Sequence, residues 1–73
     1  MPAGPKHRRL LGEAIRSRRK KAGLSQERLA EKSDLSTVFI SRVECGKESP
    51  TMDSLAKIAG ALKARVRDLV RDF

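Results

Sequence analysis

The chain has no tryptophan or tyrosine, only two phenylalanines, one histidine and one cysteine among its 73 residues. A lone Cys45 forms no internal disulfide, which excludes a stapled secreted scaffold and makes a reducing cytosol the expectation. A single His7, in a segment with nothing to bury, provides neither a metal cluster nor a catalytic base. Glycine-rich phosphate loops and carboxylate pairs in apolar surroundings are also missing, so the nine acids read as surface charge balance and an enzyme is not expected. No run approaches the roughly 18–20 apolar residues of a membrane span. Residues 1–9, MPAGPKHRR, have no apolar stretch behind their charges, so neither a leader nor a membrane partner is expected. Length alone allows one small core and leaves little room for a deep substrate cleft.

What the chain has in excess is positive charge. Seventeen Lys and Arg face nine Asp and Glu, giving +8 at neutral pH and a pI near 10.6. Lys6, Arg8, Arg9, Arg16, Arg18, Arg19, Lys20 and Lys21 meet only Glu13 in the first 21 residues, so that segment carries +7. Such clustering is a common nucleic-acid footprint, and a polyanion is the first partner to consider.

Apolar spacing organises the rest into helices. Residues 1–9, with two prolines and a glycine, read as a flexible basic arm. Leu11, Ala14, Ile15, Arg18 and Ala22 then recur at three- and four-residue intervals, predicting a helix over 10–22 that stops at Gly23. Ser25 offers a cap to a short helix over 26–33, with Glu27 in its first turn. Leu35 is a buried pivot and Ser36 caps a helix over 37–44, in which Ile40 and Val43 face inward while Thr37, Val38, Ser41 and Arg42 are left over. Residues 45–50, CGKESP, form a loop that Pro50 keeps from restarting a helix. Thr51 caps a helix over 52–62 with Met52, Leu55, Ile58, Ala59 and Leu62 as its inward stripe, and a last helix spans 66–71. Sustained alternation is lacking, so the expected class is all-α, one domain over 10–73 behind the arm.

Two short helices joined by a tight turn, the small residue Ala30 in the first and a capping hydroxyl opening the second, make a helix-turn-helix. The leftover face of the second helix then has a use, because a major groove roughly 12 Å wide admits one helix whose base-facing side chains are free of the core. Four blocks in order carry a family resemblance: IRxxR at 15–19, GLSQERLA at 23–30, LSTVFISRVECGK at 35–47 and PTMDSLAKIAGAL at 50–62. Over nearly its whole length the chain resembles the phage-repressor-like (XRE-type, Cro and lambda-repressor-like) helix-turn-helix regulators.

That resemblance implies a compact five-helix domain, a DNA-reading third helix, no cofactor or small-molecule effector, and a homodimer on a near-palindromic operator with half-sites roughly 34 Å apart. Carried over by position, Thr37, Val38, Ser41 and Arg42 contact bases, while Gln26, Ser36, Lys47, Ser49 and Arg16 contact phosphate. Arg19 and Glu44 match a partly buried interhelical salt bridge. Val66, Leu69, Val70 and Phe73 give more apolar C-terminal surface than a monomer needs and are the expected dimer interface. Asp34 and Lys63 stand where the family often has glycine, so the turn at Lys63 is expected to be shaped differently. The competing reading is an antitoxin or interaction module of the same fold that binds a partner protein as well as its own promoter. Either way a cytoplasmic protein that meets double-stranded DNA is expected.

Overall fold

The protein is described by a computed structural model covering residues 4–72. Five helices follow one another: α1 (Gly4–Lys21), α2 (Gln26–Ser33), α3 (Thr37–Glu44), α4 (Met52–Ala61) and α5 (Val66–Val70), with no strand among the described residues. Three of the starts are fixed by side-chain caps. Ser25, Ser36 and Thr51 hydroxyls accept hydrogen bonds from the backbone N–H groups of Arg28, Phe39 and Ser54, at 3.0, 3.0 and 3.1 Å. Each cap satisfies a donor that the helix leaves without a partner. At α5 the reciprocal contact comes from the Asp68 carboxylate, which accepts from the Arg65 N–H at 3.0 Å. This bond holds the Asp68 carboxyl below the usual carboxylate range.

The stops use left-handed residues. Asp34, at φ 58°, ends α2, and the Leu35 N–H closes on the Ala30 carbonyl at 2.9 Å. Lys63 adopts the same conformation at φ 56°, with the Ala64 N–H on the Ala59 carbonyl at 2.9 Å. The turn expected to differ at Lys63 therefore takes the left-handed shape that glycine would take, and that hydrogen bond, with one from the Lys63 N–H to the Gly60 carbonyl at 3.1 Å, offsets the steric cost to lysine.

The core is a single cluster drawn from all five helices: Leu11 and Ile15, Leu29 and Ala30, Ile40 and Val43, then Leu55, Ile58 and Ala59, with Leu62 and Leu69. Phe39 is half-buried against it. Two expectations fail here. Met52 is 68% exposed and not part of the inward stripe, because steps of 100° place it at the margin of the face that Leu55, Ile58, Ala59 and Leu62 share. Leu69 is only 2% exposed: in so short a helix the one fully inward residue serves the domain's own core, where α5 closes on α1 and α4, and it is not available to a second copy.

The largest departure is at the N-terminus. Residues 4–9, read as part of an arm, are the opening turns of α1. Pro5 falls in the first turn, where its missing N–H has no helical acceptor to lose. The same turns are docked on the loop after α3: the Arg8 Nε donates to the Gly46 carbonyl at 3.3 Å, and a Cβ built on Gly46 would come within 3.2 Å of the Arg9 Cα. Residues 1–3 of the expected arm lie outside the described residues.

One turn further on, α1 meets the end of α3 with almost no space between backbones. A Cβ at Gly12 would stand 2.5 Å from the carbonyl oxygens of both Val43 and Glu44. Those oxygens belong to main chain that α1 itself pins in place. Gly12→Ala is therefore expected to destabilise the fold by about 1–3 kcal/mol, although alanine is the better helix former by roughly 1 kcal/mol. Urea unfolding followed by circular dichroism measures the difference, and an unchanged or raised midpoint would contradict the close approach.

Candidate nucleic-acid interface

α3 divides sharply between what it buries and what it shows. Ile40 and Val43 are fully inside, and Glu44 follows them. On the other side Val38 is 70% exposed, Arg42 is exposed, and Thr37 and Ser41 are half-buried at the margins. An exposed valine and arginine one helical turn apart, between a threonine and a serine, provide a methyl surface, hydroxyls and a guanidinium without any cost to the core.

The helix is locked in place by charge as well as by packing. The Arg19 Nε and Nη2 donate to the two Glu44 carboxylate oxygens at 2.6 and 3.0 Å, and Nη1 donates to the Leu24 carbonyl at 2.8 Å. Glu44 also accepts from the Gln26 side-chain amide at 3.0 Å. Both charged groups are buried, and no buried side-chain polar atom among the described residues lacks a partner. The hydrogen bonds to Glu44 hold the Arg19 guanidinium above its ordinary pKa, which keeps the arginine charged. The expected salt bridge is thus present and larger than a pair. It binds the end of α1, the turn into α2, the first residue of α2 and the last residue of α3.

The remaining expected contact residues surround α3 in different states. Ser36 is exposed, and its Oγ accepts the Phe39 N–H while its own O–H stays available to donate. Lys47 and Ser49 are exposed on the loop over 45–50, and Arg16 is exposed on α1. Gln26, expected on phosphate, directs its side-chain nitrogen to the Glu44 carboxylate at 3.0 Å, which takes one of its two N–H donors. No ion pair among the described residues engages Lys6, Arg16, Lys20 or Lys21, which leaves their charge to the solvent-facing field. Val66 and Val70 are half-buried on α5, and Phe73 lies outside the described residues.

Sequence reasoning missed Glu48. The Arg42 Nε donates to its Oε1 at 3.2 Å, and the Arg42 Nη2 donates to the Lys47 carbonyl at 3.3 Å. A six-residue separation belongs to no helical spacing, and only the reversal at Gly46, at φ 73°, brings the two together. The glycine that opens a loop of one lysine and one glutamate was the one available signal.

A groove of about 330 Å³ between α1 and α5, lined by Leu10, Ala14, Ser17, Arg18, Asp68 and Arg71 among others, contains no residue of α2, α3 or the loop over 45–50. Cys45, at the end of α3, is exposed. None of the helices among the described residues is long and apolar enough to cross a membrane.

Since Glu44 is 8% exposed and its charge is balanced by Arg19, Arg19→Ala is expected to cost about 3–5 kcal/mol. Arg19→Lys is expected to recover little of it, because one ammonium cannot serve both carboxylate oxygens and the Leu24 carbonyl in the same plane. Thermal unfolding of the two variants beside the parent tests this, and a lysine variant as stable as the parent would show that charge alone suffices.

The geometry has counterparts among known proteins. The family described as Helix-turn-helix (HTH_3) matches residues 15–69. The chain is 39% identical over 67 residues to Control protein C.BamHI of Bacillus amyloliquefaciens, covering 90% of this chain and 82% of that protein. It is 44% identical over 52 residues to an uncharacterised HTH-type transcriptional regulator of Mycobacterium tuberculosis, covering 71% of this chain. It spans only 37% of that longer relative's length. The P22 c2 repressor, solved in complex with a synthetic operator, superimposes with a TM-score of 0.80 at 32% identity, covering 86% of this chain and 96% of that one. The chain belongs to the helix-turn-helix family of the phage-repressor (XRE) type, a family of non-enzymatic, DNA-binding transcriptional regulators.

Proposed function

We propose that the chain regulates transcription by binding double-stranded DNA as a homodimer on a near-palindromic operator, with α3 in the major groove. The observation that carries this reading is the outward face of α3: Thr37, Val38, Ser41 and Arg42 are free of the core while Ile40, Val43 and Glu44 fix the helix behind them. Arg42 suits guanine O6 and N7, and Val38 with the Thr37 methyl suits a thymine methyl. Gln26, Ser36, Lys47, Ser49 and Arg16 supply phosphate contacts that set register without reading sequence. The P22 c2 repressor, of the same fold and solved on an operator, supports the assignment.

A second copy fits the reading because one eight-residue helix spans only a few base pairs, and two related by a two-fold axis double the readout. With Leu69 committed to the core, the apolar surface left for that contact is the flank of α5 carrying Val66 and Val70. Such a protein works in the cytoplasm, associated with the nucleoid through its DNA binding.

Two measurements test the proposal. In titrations at several salt concentrations, Arg42→Ala is expected to relax preference at one position of each half-site, a difference of about 1–3 kcal/mol between bases. Lys47→Ala is expected instead to weaken binding to all sequences and to reduce the salt slope by about 0.9. If both variants behave alike, Arg42 is not a base reader. Sedimentation at micromolar concentration is expected to show a dimer that Val70→Arg disrupts, and a monomer with and without operator would remove the dimer.

A further inference from the structure

The Arg42–Glu48 contact has consequences for how a base is read. A guanidinium has two useful edges: a side edge formed by Nε and Nη2, and an end edge formed by Nη1 and Nη2. Glu48 takes the side edge through Nε, and the Lys47 carbonyl takes one hydrogen of Nη2, the nitrogen that the two edges share. No hydrogen bond among the described residues reaches Arg42 Nη1, so Nη1 and the second hydrogen of Nη2 remain to donate to O6 and N7 of guanine. Arg42 is also anchored at both ends of its reach: its backbone belongs to the rigid second turn of α3, and its head is tied to a loop that Gly46 turns back against α1. A long side chain that otherwise loses substantial rotamer entropy on binding is thus already ordered in the free protein. The carboxylate is otherwise out of place, since it stands between Lys47 and Ser49 on a surface meant to approach phosphate, where a negative charge is repelled.

We infer that Glu48 is a specificity-determining positioning residue: its carboxylate fixes the side edge of Arg42 so that the end edge is presented to a guanine. The inference rests on the reading of Arg42 as a base contact. Two effects of Glu48 then oppose one another. As an anion it lowers affinity for every duplex, and as a support for Arg42 it raises discrimination at one base pair.

That opposition makes the test decisive. Bound sites are selected from a pool of random-sequence duplexes for the parent, Arg42→Ala, Glu48→Ala and the double variant, and the dissociation constants of the preferred site and its single-base variants are measured at two salt concentrations. The position whose preference collapses in Arg42→Ala identifies the base pair that Arg42 meets. Glu48→Ala is expected to soften preference at that same position by up to about fivefold, the value of an exposed ion pair of up to roughly 1 kcal/mol, while binding to unrelated DNA holds steady or tightens. In the Arg42→Ala background, Glu48→Ala is expected to change affinity but no longer to change any base preference. If Glu48→Ala tightens binding to all sequences equally and leaves the preference at that position intact, Glu48 is only a repelling charge and the inference fails while the reading of Arg42 stands. If Arg42→Ala itself leaves every preference intact, the base-contact reading fails and the inference with it.

Discussion

Arg19 and Glu44 are drawn out of water in a core that is otherwise aliphatic, and the pose of α3 depends on how that charge is accommodated. Removing two ions from solvent costs several kcal/mol each, so the pair persists only because nearly every donor and acceptor around it is used. The guanidinium gives two hydrogen bonds to the carboxylate and a third to the Leu24 carbonyl, and Gln26 adds a fourth to the same carboxylate. These partners lie on the end of α1, the turn into α2, the start of α2 and the end of α3. An apolar contact tolerates sliding, whereas a fork of fixed plane and spacing does not. The network therefore fixes the angle at which α3 leaves the body of the domain, the quantity on which the proposed entry of α3 into a groove depends.

An eight-residue helix has little stability of its own, so every other support of α3 is tertiary or at its ends. Ser36 caps its first turn, Ile40 and Val43 bury its inner face, and Gly12 lets the α1 backbone come against its last carbonyls. The side chains left over are those none of these supports use. The selection of Thr37, Val38, Ser41 and Arg42 as the outward set is thus a result of how the helix is held, and their types are free to vary without cost to the fold.

The all-helical class and the helix-turn-helix were legible in the sequence because they rest on local signals: capping hydroxyls at Ser25, Ser36 and Thr51, reversals at Gly23 and Gly46, and a three- and four-residue apolar rhythm between them. The ion pair was legible only through family resemblance, since nothing in the spacing of Arg19 and Glu44, 25 residues apart, brings them together. What could not be read depends on contacts without periodicity. The opening of α1 carries basic residues instead of an apolar stripe, and its docking uses an arginine on a carbonyl, so residues 4–9 looked like an arm. Leu69 and Val70 are neighbours in a five-residue helix too short to show which of them faces the core. Arg42 and Glu48 meet across a loop.

Affinity and specificity have different sources on such a surface. The chain's +8 charge attracts any duplex, and each phosphate neutralised adds to binding without regard to sequence. Discrimination has to be won against the very many competing sites of a genome, at roughly 1–3 kcal/mol per base pair read. A domain with few base-facing side chains gains most by making each of them rigid, because a side chain already ordered in the free state gives up less entropy to a correct base and adapts less readily to a wrong one. In the proposed readout the buried fork that sets α3 and the carboxylate that ties down Arg42 serve that end at two scales, one orienting the helix and the other orienting a single guanidinium upon it. In the proposed homodimer the two-fold axis applies each of them twice, so a modest gain in order at one side chain counts at both half-sites.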